Sequence, residues 1–418
     1  MRVLVLTHNY PRFPGDFSGS FIQALCEELA VAGANVTVLT PFDPAFTRTP
    51  APTSRPEGGA DNPVELLTYR YIFPDVFHLL GYMRTLESDI QLRGWALLLA
   101  PFMFLFGALA TLRVAARIRP AVIHAHWVLP NGFIAAWAAR RLRIPLVVSL
   151  PGSDVLMAGK NLLFRWMANY AWRTAAVITT NSTELRDEAI RLGAPASKFE
   201  LIIYGVNAAE FAPSDEGTAE LRAHLGLGAD DIVVLGVGRM VHKKGFDVLI
   251  RAIALLHELH GHVKAVLIGE GDLKAQWQKL AVDSGVADRV LFVGRVRYDQ
   301  ITRYYNMADM LAMPSVTHPA DGLNVCVLDA MACGKPIVAS RVAGNPLVVA
   351  DGINGIRVDE GRPEQLAHAI ARLADAPVLR AKLGAASRKR VEEEFDWPHL
   401  AARYIGEFED ILAPPHPQ

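Results

Sequence analysis

Short β-branched apolar runs recur along the chain, separated by stretches whose apolar residues fall at helical spacing. In the first half the runs are RVLVLTH, VTVLTP, AVIHAHW, LVVSLPG and AAVITTN. In the second half they are DIVVLGVG, KAVLIGEG, RVLFVGRV, MLAMPS, PIVAS and GIRV. Strands that are apolar without alternation, each followed by a helix, belong to parallel sheets covered on both faces. Two such series predict an α/β chain with two doubly wound domains. The pattern breaks between about 203 and 219, where small and polar residues mark the expected seam. The expected domains are therefore 1–205 and 206–395. Residues 396–418 carry a last helical spacing, HLAARYIGEFEDIL, expected to pack back on the first domain.

Two segments depart from this alternation. Residues 48–63, RTPAPTSRPEGGADNP, are Pro-rich and polar and read as a mobile insertion. Gly94 to Leu112, GWALLLAPFMFLFGALATL, is a run of 19 residues without a charge. That length meets the transmembrane criterion of about 18 apolar residues. Pro101 in its middle and the strand AVIHAHW soon after favour a helix buried in an α/β domain, or one lying at a membrane surface. At the N-terminus, MRVLVLTHNYPRFPG reaches His8 and two prolines too soon for a secretory apolar core, so it reads as a first buried strand.

Composition narrows the function classes. Of 418 residues, 51% are hydrophobic and 20% charged, which excludes a disordered chain. With 42 basic against 43 acidic side chains, the chain lacks the basic excess of a protein that tracks a nucleic-acid backbone. Cys26, Cys326 and Cys333 form neither a disulfide framework nor a C-x-x-C pair, so a reducing compartment is expected. His124 and His126 are same-face strand positions and a weak metal signal, and no metal site is expected.

In doubly wound sheets ligands gather beyond the carboxyl ends of the strands, where Gly-rich turns feed helix N-termini. Four such turns are present: PGDFSGSF, where Gly19 and Ser20 open a helix; LPGSDV at 150–155; GVGRMVHKKG at 236–245; and PADGLNVCVLDAMACG at 319–334. In the third, Gly236 and Gly238 are followed by Arg239, Lys243 and Lys244 before Gly245. Such charges suit a diphosphate, which Arg grips as a fork and Lys as a point charge. The turn is neither a Walker A loop nor a dinucleotide fingerprint, since Val241 stands where the third Gly should be. In the fourth, Asp321 sits at the expected N-cap and Gly322, Leu323 and Asn324 can present backbone N–H groups to a phosphate. Asp329 lies eight residues on, just over two helical turns, so both carboxylates fall near one face. One could meet sugar hydroxyls and the other a ribose. A solvated basic turn, a simple cap and a surface charge are the alternatives.

At these residues the sequence resembles the retaining glycosyltransferases of family 4 (glycosyl transferases group 1). Their GT-B fold sets two Rossmann-like domains facing each other across a cleft. The resemblance spans nearly the whole chain and is densest from 231 to 358, through MPSVTHPADGLNVCVLDAMACGKPIVAS. It implies that Arg239 and Lys244 grip the donor diphosphate, with Gly238 in the turn, and that Asp329 holds the ribose. Asp321 and the backbone of Gly322, Leu323 and Asn324 would position the donor sugar. Arg295, in FVGRV, belongs to the base-side loop, and Gly19 would approach the phosphate from the other domain. The IHAHWVLPNG segment is a common first-domain motif, and His126 in it is a further candidate beside the reacting sugar, or a structural histidine. The resemblance implies no cofactor beyond the nucleotide-sugar donor, no bound metal and a carbohydrate or lipid-linked acceptor. It also implies a cytoplasmic location, where 94–112 would make a peripheral membrane contact.

The chain departs from the family pattern in places. Asp321 and Asp329 stand where Glu is usual, each one methylene shorter. Pro151 replaces a His, Leu347 another Glu, and Tyr204 and Asn207 occupy the usual Asn and Asp at the hinge. A non-catalytic nucleotide- or partner-binding relative and a GT-B nucleotide-sugar epimerase are the alternative readings.

Overall fold

The computed structural model describes residues 1–13, 16, 18–46, 64–81, 86–88, 91–92, 98–152, 154–256, 260–317 and 322–413. The insertion at 48–63 and Asp321 lie outside the described residues. The chain divides into two compact units, Met1–Tyr204 with Trp397–Gln418, and Gly205–Asp396.

The first unit contains β1 (Arg2–Leu6), β2 (Asn35–Pro41), β3 (Glu65–Tyr69), a short pair β4 (Leu86–Ser88) and β5 (Gln91–Leu92), then β6 (Val122–His126), β7 (Leu146–Leu150), β8 (Val177–Thr180) and β9 (Phe199–Leu201). Its helices are α1 (Ser20–Val31), α2 (Ala100–Ile118), α3 (Phe133–Leu142), α4 (Asp154–Gly159), α5 (Leu162–Thr174) and α6 (Thr183–Leu192). The main sheet is parallel, in the order β3-β2-β1-β6-β7-β8-β9. Strands β6 and β7 are buried at every position, as continuous apolar runs require. Edge strand β3, ELLTY, is mostly exposed, and β9 has three residues, which is why neither carries the apolar signature of its neighbours.

The second unit contains β10 (Ile232–Val237), β11 (Val263–Ile268), β12 (Val290–Gly294), β13 (Met310–Met313), β14 (Ile337–Ser340) and β15 (Gly355–Val358). Around them lie α7 (Thr218–His224), α8 (Phe246–Leu255), α9 (Lys274–Asp283), α10 (Tyr298–Met307), α11 (Val325–Ala332), α12 (Asn345–Val348), α13 (Pro363–Asp375) and α14 (Pro377–Arg390). All pairs are parallel, in the order β12-β11-β10-β13-β14-β15. This is the doubly wound order, with its topological switch between β10 and β13. Phe246, Leu249, Ile253, Leu267 and Trp277 build part of the core on one face of this sheet. The last helix, α15 (Trp397–Leu412), belongs to the first unit, where Tyr404 packs against His124 and its hydroxyl meets Thr179.

Helix α2 differs from the expectation of a buried helix. Pro101 does not interrupt it but stands in its first turn, where a missing N–H costs nothing. Only a narrow stripe, Met103, Gly107, Thr111 and Ala115, is buried, with Gly107 set against Tyr69 and Ile134. Leu98, Phe102, Leu105 and Phe106 are exposed.

Candidate active site

The third and fourth Gly-rich turns meet in the second unit, at the carboxyl ends of β10 and β13. Strand β10 delivers Gly238, whose φ of 156° and N–H bond to the Ile268 carbonyl (3.0 Å) hold the turn against β11. Arg239 follows and is exposed. The chain then makes one 3₁₀ turn, His242–Lys244, and enters α8 through Gly245 at φ 65°. A Cβ at Gly245 would overlap the Pro314 carbonyl at the end of β13, so only glycine lets the two strand ends approach this closely.

Lys244 crosses the switch crevice. Its ammonium donates to Oδ1 of Asn324, and the Asn324 amide donates to the Ser315 hydroxyl at 3.0 Å. Ser315 is itself fixed, its carbonyl accepting from Ser340 Oγ at 2.7 Å. A chain of hydrogen bonds therefore ties the turn after β10 to the loop after β13. Of the two adjacent lysines, Lys243 is buried and Lys244 half-buried.

The helix after β13 starts later than the sequence suggested. Asn324, not Asp321, takes the N-cap position of α11, with extended backbone at φ −77°, ψ 109°. Its side chain makes no cap bond because it is committed to Lys244 and Ser315. Gly322 and Leu323 are buried immediately before it. Whether Asp321 and Asp329 share a face lies outside the described residues.

Asp329 sits on α11 and accepts from the Tyr305 hydroxyl of α10 at 3.1 Å. Burial pushes its carboxyl up to about 8, and Glu210 adds to the rise against the opposing Tyr305 bond. An acid whose pKa is higher folded than unfolded binds its proton more tightly in the native state. The stability it contributes is complete below its ordinary value near 3.8 and is lost as pH rises through about 8. We expect the unfolding temperature to fall between pH 4 and pH 8. Asp329→Asn should flatten that fall in a thermal-melt series, and an unchanged slope would contradict it.

Arg295 follows Gly294 at the carboxyl end of β12, two strands from β10, and is exposed. Cys326 donates from Sγ to the Val237 carbonyl at 3.2 Å, so this thiol serves packing between α11 and β10.

The other candidates lie in the first unit. Gly19 caps α1 at φ 74°, and a Cβ there would overlap the Asn9 carbonyl. His126 is fully buried, its ring 4.3 Å from that of His124 and its Nδ1 3.5 Å from the Tyr204 hydroxyl. Burial and the neighbouring His124 hold it well below the usual histidine range. Its Nε2 is buried without a hydrogen-bond partner among the described residues. The sequence did not single out Asp154, which accepts from Val128 N–H at 2.7 Å and fixes the turn at Trp127, where φ is 68°. Burial raises its carboxyl to about 7. Tyr305 was not singled out either, since an isolated Tyr carries no pattern, and Ser315 entered only within the MPSVTH stretch. Among the described residues no three His, Cys, Asp or Glu gather as metal ligands.

A doubly wound sheet with basic, glycine-shaped turns at its switch point defines a nucleotide-binding class of protein. The family description "Glycosyl transferases group 1" fits residues 217–390, and "Glycosyl transferase 4-like domain" fits residues 18–205. A D-inositol 3-phosphate glycosyltransferase of Acidothermus cellulolyticus is 32% identical over 329 residues, 73% of this chain and 71% of that protein. A GDP-mannose-dependent alpha-(1-6)-phosphatidylinositol monomannoside mannosyltransferase of Mycolicibacterium smegmatis is 33% identical over 233 residues, 55% of this chain and 61% of that one. Among solved structures, Anabaena HepE in complex with UDP has a TM-score of 0.73 at 21% identity, covering 98% of this chain and 100% of that one. The sucrose-phosphate synthase of Thermosynechococcus elongatus has a TM-score of 0.72 at 22% identity, with 98% of each chain covered. The chain belongs to the group 1 glycosyltransferases, family 4, and has their two-domain GT-B fold.

Proposed function

We propose that this glycosyltransferase moves a hexosyl unit from a nucleoside diphosphate sugar to a hydroxyl of a glycan or lipid-linked acceptor, with retention and without a bound metal. The observation that carries the reading is the Lys244–Asn324–Ser315 chain across the switch point, with Arg239 beside it. A departing diphosphate needs positive charge held in place before the reaction, and Arg239 and Lys244 supply it where a metal otherwise would. In the transfer the bond from C1 to the β-phosphate oxygen breaks. A bond from C1 to the acceptor oxygen forms on the same face, and the acceptor proton passes to the leaving phosphate. Asp321 would then address the donor sugar, Asp329 the ribose and Arg295 the base side. HepE was crystallised with UDP and with UDP-glucose, and the mycobacterial relative is named for GDP-mannose, so both nucleotides are candidates. Relatives named for phosphatidylinositol and inositol phosphate acceptors support a lipid-linked or polyol acceptor. The exposed apolar residues of α2, within 94–112, support a peripheral membrane contact that brings such an acceptor within reach.

Calorimetric titration with UDP, GDP and ADP, in buffer containing EDTA, tests this reading. One nucleotide should bind tightly, and its sugar conjugate should yield a product whose anomeric configuration by NMR matches the donor. Binding that requires a divalent cation would overturn metal independence, and an inverted product would overturn retention. Binding of none of the three would overturn the donor site.

A further inference from the structure

We infer that α2, α3 and α5 together form one docking face for an anionic lipid bilayer. The inference rests on the peripheral contact proposed for α2 and extends it to three helices and to a lipid charge.

Three observations point there. First, exposed apolar side chains continue well beyond α2: Leu162 is 84% exposed, Leu163 61% and Trp166 59% at the start of α5. On α3, Trp137 is 41% exposed. Soluble surfaces seldom leave so many large apolar groups together without a partner.

Second, the three helices are joined by aromatic rings. Phe104 of α2 lies 5.8 Å from Phe133 of α3, and Phe133 lies 5.8 Å from Trp166 and 5.6 Å from Tyr170 of α5. Partly buried rings therefore link α2, α3 and α5 beneath their exposed apolar side chains. Trp166 and Tyr170 also line an open groove of about 540 Å³ with Arg165 and Arg173.

Third, charge is segregated. From Leu98 to Ala176 the sequence holds nine Lys and Arg but one acid, Asp154, in a chain whose net charge is −1. All nine basic residues are exposed, and Asp154 is buried. The surface offered by this segment is thus apolar, aromatic and predominantly cationic, with Arg117 paired to Glu65 of β3 at 3.4 Å.

That chemistry selects the occupant. Aromatic and aliphatic side chains enter the headgroup boundary while Arg and Lys meet anionic headgroups. A second copy of this chain would bring two cationic faces together, which like-charge repulsion opposes. Nor does the face prepare α2 to span the bilayer. Its stripe of Met103, Gly107, Thr111 and Ala115 is packed into the first unit, and Arg113 and Arg117 occupy its second half.

The test is flotation of the purified protein with vesicles of phosphatidylcholine alone, and with about one-third phosphatidylglycerol added. Recovery with the anionic vesicles should exceed that with phosphatidylcholine about tenfold and should fall in high salt. Three variants divide the face: Leu98→Ser with Phe102→Ser and Phe106→Ser on α2; Leu162→Ser with Leu163→Ser and Trp166→Ser on α5; and Arg141→Glu with Lys160→Glu and Arg173→Glu for charge. All these side chains are exposed, and an unchanged thermal melt checks that each variant is folded. Every set should lower recovery on anionic vesicles. Equal recovery on both vesicle types would overturn the anionic preference and leave the peripheral contact standing. Full binding by the α5 variant would confine the contact to α2 and overturn the three-helix face. Flotation with neither vesicle would overturn both.

Discussion

Lys244→Ala should reduce sugar transfer by about 10²–10³-fold, on the order of 3–4 kcal/mol of lost transition-state stabilisation, while leaving the protein folded. The reason is geometric. Lys244 is half-buried at the switch point and donates to Asn324, which keeps its own bond to Ser315 when the ammonium is gone. The core therefore loses little, whereas the proposed diphosphate site between β10 and β13 loses a fixed cation. Turnover of the donor at saturating acceptor, measured beside a thermal melt, separates the two effects. Full activity in the variant would remove Lys244 from the diphosphate role. A variant that unfolds would instead show that the Lys244–Asn324 bond is structural.

Gly245→Ala should act through the backbone. Position 245 has φ 65°, a conformation that costs an L-residue about 1–2 kcal/mol, and the added Cβ would overlap the Pro314 carbonyl. Neither β10 nor β13 can yield without disturbing a sheet whose inner strands are buried. The expected loss is more than about 3 kcal/mol, or roughly 6–12 °C in the melting temperature of a unit this size. Nucleotide binding should weaken as well, because Lys244 precedes this residue and α8 starts from it. Gly226→Ala is the control, since a Cβ there meets open space and the variant pays only the backbone cost at φ 69°. Equal melting temperatures for the two variants would show that the approach to Pro314 is unimportant.

Both predictions depend on how the turns meet, and this divides what could be read in advance from what could not. The continuous apolar runs identified the central strands of both sheets, because a strand buried on two faces writes its position into sequence. Strands β3 and β9 left no such mark, since an exposed edge strand and a three-residue strand need no continuous apolar run. Gly238, Arg239, Lys244, Asn324 and Asp329 were legible as candidates from glycine spacing, charge and the resemblance. Their partners were not: the bond from Lys244 to Asn324 joins residues 80 apart, and Tyr305 lies 24 residues before Asp329.

The sequence by itself determined the fold class, the order of the central strands along the chain, the Gly-rich turns that carry the chemistry and the family. Those properties are local, set by side-chain period, by the backbone freedom of glycine and by short motifs. Tertiary structure alone decided that Lys244 meets Asn324 across the switch crevice. It also placed the cap of α11 at Asn324, whose side chain is committed across the crevice to Lys244 and Ser315. It decided, finally, that the apolar helix α2 turns an aromatic, cation-edged face outward instead of lying in the core. Burial and long-range pairing depend on which surfaces the rest of the chain leaves covered, and no window of sequence contains that information.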